Sequence, residues 1–333
     1  MAIVRTKTQY AMLGLGLALL FSLPAYIPAD WVVWLILLGI STVAVLGLHL
    51  MTGLCGQFSI GQAAFVAVGA YTTAVLTGRY DFSPWATLPL SGIVAGLAGL
   101  VFATPALRIK GFYLVMATIA AQFVIVYLLR EWSWTGGLYG MDVSPISIAG
   151  HELGDQGFAW LTIGIVVIMI IAAKNIQRTS TGRKFIAVRD NDLAAQVSGV
   201  NLFQMKLLAF FIGCFFAGIA GWLWAHFFLH ITPIQFTFEE SIWYLGMLIV
   251  GGMGSTAGAV LGVALIELLE KLVDYLTPLL SSAFPSVGDQ MFSALSLIIF
   301  GGTVVLFVML NPRGISHWIE QVKAYYRLYP FAD

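Results

Sequence analysis

Residues 174–206 read KNIQRTSTGRKFIAVRDNDLAAQVSGVNLFQMK, and this run decides the architecture, because it is the one long, strongly charged segment of an otherwise apolar chain. It holds six of the sixteen Lys and Arg residues: Lys174, Arg178, Arg183, Lys184, Arg189 and Lys206. Apolar stretches long enough to cross a bilayer flank it on both sides. A polar island kept between two such stretches is presented to water, and so to whatever partner waits there.

Composition fixes the class. Hydrophobic residues make up 59% of the chain, charged residues only 10%, and the mean hydropathy is +0.91. A soluble domain carries about a quarter charged residues. Stretches of about twenty apolar residues, enough to span a hydrocarbon core of about 30 Å, recur along the chain. The sequence therefore predicts an all-α, polytopic membrane protein embedded in a lipid bilayer. A net charge of zero gives no support for nucleic-acid binding. Cys55 and Cys214 both sit in apolar context, which argues against a disulfide framework or a zinc site. Arg5 and Lys7 precede an apolar run in the manner of a signal peptide. That run is long and no small-x-small cleavage site follows it closely, so it reads as a first spanning helix.

Ten spans are expected, at roughly 10–29, 31–51, 58–78, 83–104, 110–130, 157–174, 206–228, 239–253, 257–270 and 291–310. The eighth and ninth are short, and glycine interrupts their junction. The positive-inside rule tests the scheme independently. With both termini in the cytoplasm, thirteen Lys and Arg fall on cytoplasmic segments, and only Arg79, Arg130 and Lys271 fall outside. The island is then cytoplasmic.

In this scheme no Asp, Glu, Lys or Arg lies near the middle of a span, and Glu267 and Glu270 lie at the outer end of the ninth. Carriers driven by proton or sodium gradients generally need such a group at membrane depth. Of the strongly polar residues inside spans, His49, Gln122 and His226, the histidines read as packed, hydrogen-bonded residues. His226 and His230 are four apart, as on one helix face, but without a third ligand they read as packing and interface residues. No G-x-x-x-x-G-K-[ST] loop is present, so the chain does not hydrolyse ATP itself. No paired carboxylates or metal-spaced His/Cys group argue for a membrane enzyme.

Thirty-five glycines are the other anomaly, and they cluster. One cluster runs Gly53, Gly56, Gln57, Ser59, Gly61 and Gln62; the other runs Gly251, Gly252, Gly254, Ser255, Thr256 and Gly258. Small residues let helix backbones approach, which accounts for Gly92, Gly96, Gly99, Gly218 and Gly221. The clusters carry polar companions as well. Broken helices of that kind offer free backbone groups to a polar solute where they line a cavity. Residue type alone leaves packing and pathway lining both open.

The segment GLCGQFSIGQAAFVAVGAYTTA at 53–74 resembles the N-terminal signature of LivM-type permeases, the ABC-importer subunits for branched-chain amino acids. KGFYLVMATIAAQ (110–122), TGGLYGM (135–141), STGRKFIAVRDNDLAAQVSGVN (180–201), KLLAFFIGCFFAGIAGWLWAH (206–226) and ITPIQFTFEESIWYLGMLIVGGMGSTAGAVLGV (231–263) follow in the order and spacing of that family. The resemblance implies one transmembrane permease domain over 1–333 in a bacterial inner membrane. It implies a LivH-like permease partner, two LivG/LivF-like ATPases and a periplasmic binding protein. The chain itself would hold no cofactor, with ATP and magnesium bound by the ATPases. Residues 175–205 would form a cytoplasmic loop carrying the coupling helix, often of E-A-A-x-x-x-G pattern, that seats in the ATPase. Here Leu193-Ala194-Ala195-Gln196-Val197-Ser198-Gly199 supplies the small residues and the glycine, with the acid one place early at Asp192. The expected coupling residues are Gly182, Arg183, Arg189, Asp192, Ala194, Ala195 and Gly199, with the arginines facing acidic partners. A solvated loop is the alternative for this segment. The expected path residues are Gly56, Gln57, Ser59, Gly61, Gln62, Thr118, Gly251, Gly252, Gly254 and Ser255.

Two rival functions remain: a stand-alone carrier or channel, and a structural subunit of a membrane complex. Within the importer reading, urea, short-chain amides and aromatic acids are alternative solutes.

Overall fold

A computed structural model describes residues 7–106, 112–148, 151–283, 289–310, 314–318 and 321. The helices among them are α1 (Lys7–Tyr26), α2 (Ala29–Leu48), α3 (Gln62–Tyr80), α4 (Pro84–Ala106), α5 (Phe112–Glu131), α6 (Asp155–Arg178), α7 (Ser180–Asp190), α8 (Asp192–Val197), α9 (Leu202–Phe228), α10 (Phe238–Gly251), α11 (Thr256–Ala283) and α12 (Asp289–Leu310). Each of the ten expected spans coincides with one long helix, and α7 and α8 make up most of the island.

Among the described residues, five helices are long and apolar enough to cross a membrane. They are α2 with its continuation to Leu54, α4, α5, α6 and α9. The number rises to six if the pair Pro233–Gly251 and Thr256–Tyr275, bent by 119°, counts as one span. The chain is a multi-pass membrane protein.

Two expected boundaries change. The third span starts at Gln62 rather than 58, because Gly56 adopts a left-handed φ of +71° and 56–61 stay non-helical. The ninth runs to Ala283 rather than 270. Glu270, Lys271 and Asp274 end an apolar run but are compatible with helix, so the backbone continues through them. That extension corrects the expectation of no ionisable group at mid-span. Glu267 lies in the interior of α11 and takes a 2.7 Å hydrogen bond from the hydroxyl of Ser41. Ser41 is midway along the apolar stretch Ala29–Leu54.

The centre of the fold is the packing of α2, α3 and α4 on α9. Ile36, Ile40 and Leu46 of α2, Phe65 of α3 and Trp222 of α9 are fully enclosed there. The backbones meet where side chains are absent. A Cβ at Gly69 would collide with the backbone of Gly218, and one at Gly221 with the carbonyl of Val66. Gly92, Gly96 and Gly99 of α4 leave room for Phe215, Phe211 and Cys214 of α9. Gly92, Gly96, Gly99, Gly218 and Gly221 are the five positions expected from small-residue packing, and Gly69 joins them. The indole N–H of Trp222 donates to the Pro84 carbonyl at 3.0 Å and to the Thr87 hydroxyl at 2.9 Å, so its polar edge is satisfied inside the core.

The segment between α5 and α6 takes part in two short ladders. Met141–Asp142 pairs antiparallel with His230–Ile231, and Ser147–Ile148 with His151–Glu152. α9 stops at Phe228 and Leu229 turns left-handed, so His226 and His230 do not share a helix face as their spacing implied. His226 packs edge-on against Trp222 with its Nδ1 at 3.2 Å from the Ser144 carbonyl, and His230 sits 2.7 Å from the Asp142 carboxylate.

Candidate functional site

Both glycine clusters fall where helical backbone is broken, and the two breaks lie against each other. α2 runs into a π-helical turn, His49–Leu54, a local widening often found at functional positions. α10 ends at Gly251, Gly252 takes a φ of +104°, and α11 begins at Thr256. His49 Nδ1 lies 3.0 Å from the carbonyl of Met253. A carbonyl only accepts, so Nδ1 carries the proton and Nε2 is left to accept. The Thr256 hydroxyl is 3.5 Å from that Nε2 and donates to Gln177 Oε1 at 2.9 Å. Gly53 sits so close to the Met253 carbonyl that any side chain would collide with it.

The island is fastened to the same place. Nη1 of Arg189, at the end of α7, donates to the carbonyl of Gly53 at 2.9 Å. Asp190 holds the guanidinium through its Nε and Nη2, both at 2.9 Å. A Cβ on Gly56 would meet the Arg189 side chain and Cα at 3.0–3.3 Å. From α6, the Gln177 amide reaches the Gly254 carbonyl at 3.5 Å. Three segments distant in sequence are therefore tied together through backbone carbonyls.

Farther into the fold, the buried start of α3 is capped by other helices. The first N–H groups of any helix lack partners within it. Here Ala63 N donates to the Ser241 hydroxyl at 2.9 Å and Ala64 N to Gln122 Oε1 at 2.8 Å. Ser241 donates to the same Oε1 at 3.1 Å, and Gln122 Nε2 donates to the Phe236 carbonyl at 3.0 Å. Ile60 N finds the Thr118 hydroxyl at 3.1 Å. Gln122 was visible in the sequence as a lone amide in an apolar helix. Ser241 gave no signal, since one serine near a helix start is unremarkable.

The expected path residues of the first cluster face into the chain. Gln57, Ser59, Gln62 and Thr118 are all buried, and the Gln62 amide bonds the carbonyls of Ala44 at 3.0 Å and Gly213 at 3.4 Å. Gln57 Nε2 donates to the Cys55 carbonyl and Ser59 accepts from Gly61 N. Gly61 lies against the carbonyl of Thr118. In the second cluster Gly251 and Gly252 are buried, Gly251 facing Gly258. Gly254 is exposed with open space beside it, and Ser255 is half-buried.

The expected coupling residues divide into an inner and an outer set. α7 is capped by Thr179, and Asn191 caps α8 by accepting from Leu193 N and Ala194 N. Gly182 and Ala195 face inward with Phe185 and Val188. Asp192 pairs with Lys206 at 3.2 Å, and Arg183 bonds the Arg178 carbonyl. Gly199, with a φ of +81°, closes α8. Val200 N bonds the Ala195 carbonyl and Gly199 N the Gln196 carbonyl, each at 3.0 Å, which is the Schellman arrangement. Facing out are Ala194 and Gly199, together with Leu193 at 69% exposure and Val197 at 90%. Among the described residues no group of three His, Cys, Asp or Glu is placed to hold a metal ion.

Against known proteins, the family described as branched-chain amino acid transport system / permease component matches residues 31–308. The high-affinity branched-chain amino acid transport system permease protein LivM of Salmonella typhimurium is 30% identical over 296 residues, which covers 81% of this chain and 66% of that protein. LivM of Escherichia coli is 29% identical over the same extents. The probable LivM of Methanocaldococcus jannaschii is 23% identical over 268 residues, 78% of this chain and 77% of that one. The match thus spans 66%, slightly under two thirds, of the length of the two bacterial relatives. No solved structure matches. With a family match over most of its length and the broken, glycine-rich helices on which the resemblance rests, the chain belongs to the branched-chain amino acid transport system permease component family.

Proposed function

We propose that the chain is a membrane-spanning permease subunit of an ABC importer for branched-chain amino acids or a related small neutral solute. In this reading all ten long helices cross a bacterial inner membrane with both termini in the cytoplasm, forming a single permease domain. The partners are a LivH-like permease, two ATPases that bind ATP and magnesium, and a periplasmic binding protein.

The observation that carries the reading is the outward face of α8. Leu193 and Val197, one turn apart, project apolar side chains into water from a helix fixed by Asn191 and Gly199. Such a pair gains by burial in a partner's cleft, and in the importer reading that partner is the ATPase. Arg189 then relays movement of α7 to both broken segments through Gly53. Gln62, whose amide oxygen has no hydrogen-bond partner among the described residues, supports a path along the first cluster. Purification of the chain from native membranes tests the assembly: co-purifying ATPases and a second permease are expected, and a stable complex without ATPase favours a structural role. Cysteines replacing Ser59 and Ser255 test the path. Reaction with a small water-soluble thiol reagent should change during ATP turnover, while Phe65 and Val250 positions stay unreactive.

One observation favours a second reading. The mid-span carboxyl of Glu267 is the kind of group that a stand-alone, gradient-driven carrier uses.

A further inference from the structure

A cavity of about 520 Å³ lies between α2, α9, α10, α11 and α12, and four carboxylates line it: Glu239, Glu240, Glu267 and Glu270. Trp243 and Tyr244 form part of its wall, and no Lys, Arg or His is among its described lining residues. The four acids come as two pairs, one from the first turn of α10 and one from adjacent turns of α11. Only the fold brings the pairs together.

Two of the groups are set in place rather than left to solvent. Glu267 is 8% exposed and its Oε1 accepts from Ser41 at 2.7 Å. Tyr244 is 3% exposed, one turn beyond Glu240, and its hydroxyl has no hydrogen-bond partner among the described residues although its ring lines the cavity. That hydroxyl is not among the fully enclosed polar atoms left without a partner, so it stands open to the cavity and to whatever occupies it. Trp243 is fixed by stacking on Phe300 at 3.8 Å between ring centroids. Carboxylates gathered without a counter-charge repel one another by several kcal/mol when partly withdrawn from water. A cation relieves that repulsion, and aromatic walls favour one with an organic body. An anion is disfavoured on the same ground.

We propose that this cavity binds the ammonium group of a small aliphatic solute, which in the importer reading above is the α-ammonium of the transported amino acid. The solute's carboxylate points out of the acidic pocket, toward the chain's partners. The assignment to an amino acid rests on that reading; the preference for an ammonium group rests on the cavity alone.

The test is calorimetric binding to the full-length chain in lipid nanodiscs, with 3-methylbutylammonium and 4-methylpentanoate as probes. The first keeps an aliphatic body and the amine, and the second keeps the body and a carboxylate. Saturable binding of the amine, competition by leucine and no binding of the carboxylate are expected. Glu240→Gln, Glu267→Gln and Tyr244→Phe should each weaken amine binding at least ten-fold. Lys184→Gln, on α7 and outside the cavity, should leave it unchanged. Absence of amine binding, equal binding of the carboxylate, or indifference to all three cavity variants overturns the proposal. Amine binding that leucine does not compete overturns the amino-acid assignment. The measurement needs neither ATPase nor ATP, so its outcome is separate from that of the importer reading.

Discussion

Arg189 and Gly53 are joined by a 2.9 Å hydrogen bond from guanidinium to backbone carbonyl, across 136 positions of sequence. The bond fastens the polar island to the π-helical end of α2. It uses a main-chain acceptor that the helix break leaves free, so it exists only because the backbone is irregular there. We expect Arg189→Gln to leave insertion intact and to lower thermal stability by about 1–3 kcal/mol, the cost of an unpaired, largely buried carbonyl. ATP-driven uptake should fall more than stability does. Thermal unfolding in detergent and uptake by the assembled transporter measure the two, and wild-type values of both contradict the relay.

Gly56→Ala tests the same joint from its other side. At a φ of +71° a Cβ costs about 1–2 kcal/mol, and here it would also press on Arg189. The two substitutions share a contact, so their effects should be non-additive by more than about 0.5 kcal/mol in a double-mutant cycle. Simple additivity means that the joint is not one unit.

The cap on α3 makes a sharper stability prediction. Ser241→Ala removes the partner of Ala63 N, and Gln122→Leu removes those of Ala64 N and the Phe236 carbonyl. Losses of about 1–3 kcal/mol for the first and more for the second are expected, because buried unsatisfied groups carry their desolvation cost. Thermal unfolding within error of wild type for both rules out a structural cap.

Glycines separate by neighbour rather than by type. Gly218→Leu should lose folded protein, since its Cβ alone already meets the Ser91 carbonyl and Ala95. Gly164→Ala in α6, with nothing within 4 Å of its Cβ, should change stability by less than about 1 kcal/mol. Yield of monodisperse protein distinguishes the pair, and equal tolerance contradicts the packing described.

Much of this was readable beforehand. Apolar runs located the long helices, and five of those described, or six with the bent pair, have the length and apolarity that a bilayer demands whatever the tertiary context. Gly92, Gly96, Gly99, Gly218 and Gly221 announced close packing because little else explains glycine on an apolar helix. Contacts between distant segments were not legible. Nothing near residue 53 says that Arg189 will reach its carbonyl. Nothing near Ser41 says that Glu267 will meet it, and charges at 270–274 made the helix look finished. Ala194 and Ala195 looked equivalent as small residues, yet Ala195 is buried and Ala194 exposed, since a helix of six residues presents one to the chain and the other to water.

That division sets the docking prediction. Val197→Asp and Leu193→Asp should abolish ATPase association at unchanged thermal stability, because both side chains stand in water. Ala195→Arg, in contrast, should destabilise the chain itself by forcing a charge into its interior. Co-purification of the ATPases by the aspartate variants contradicts α8 as the docking element.

Concentrative uptake in proteoliposomes tests the central claim most directly. The chain alone should accumulate no solute under any proton or sodium gradient. Adding a LivH-like permease, both ATPases and the binding protein should give ATP-dependent uptake of a branched-chain amino acid. Gradient-driven accumulation by the lone chain would contradict the importer reading and make the mid-span Glu267 the centre of a secondary carrier.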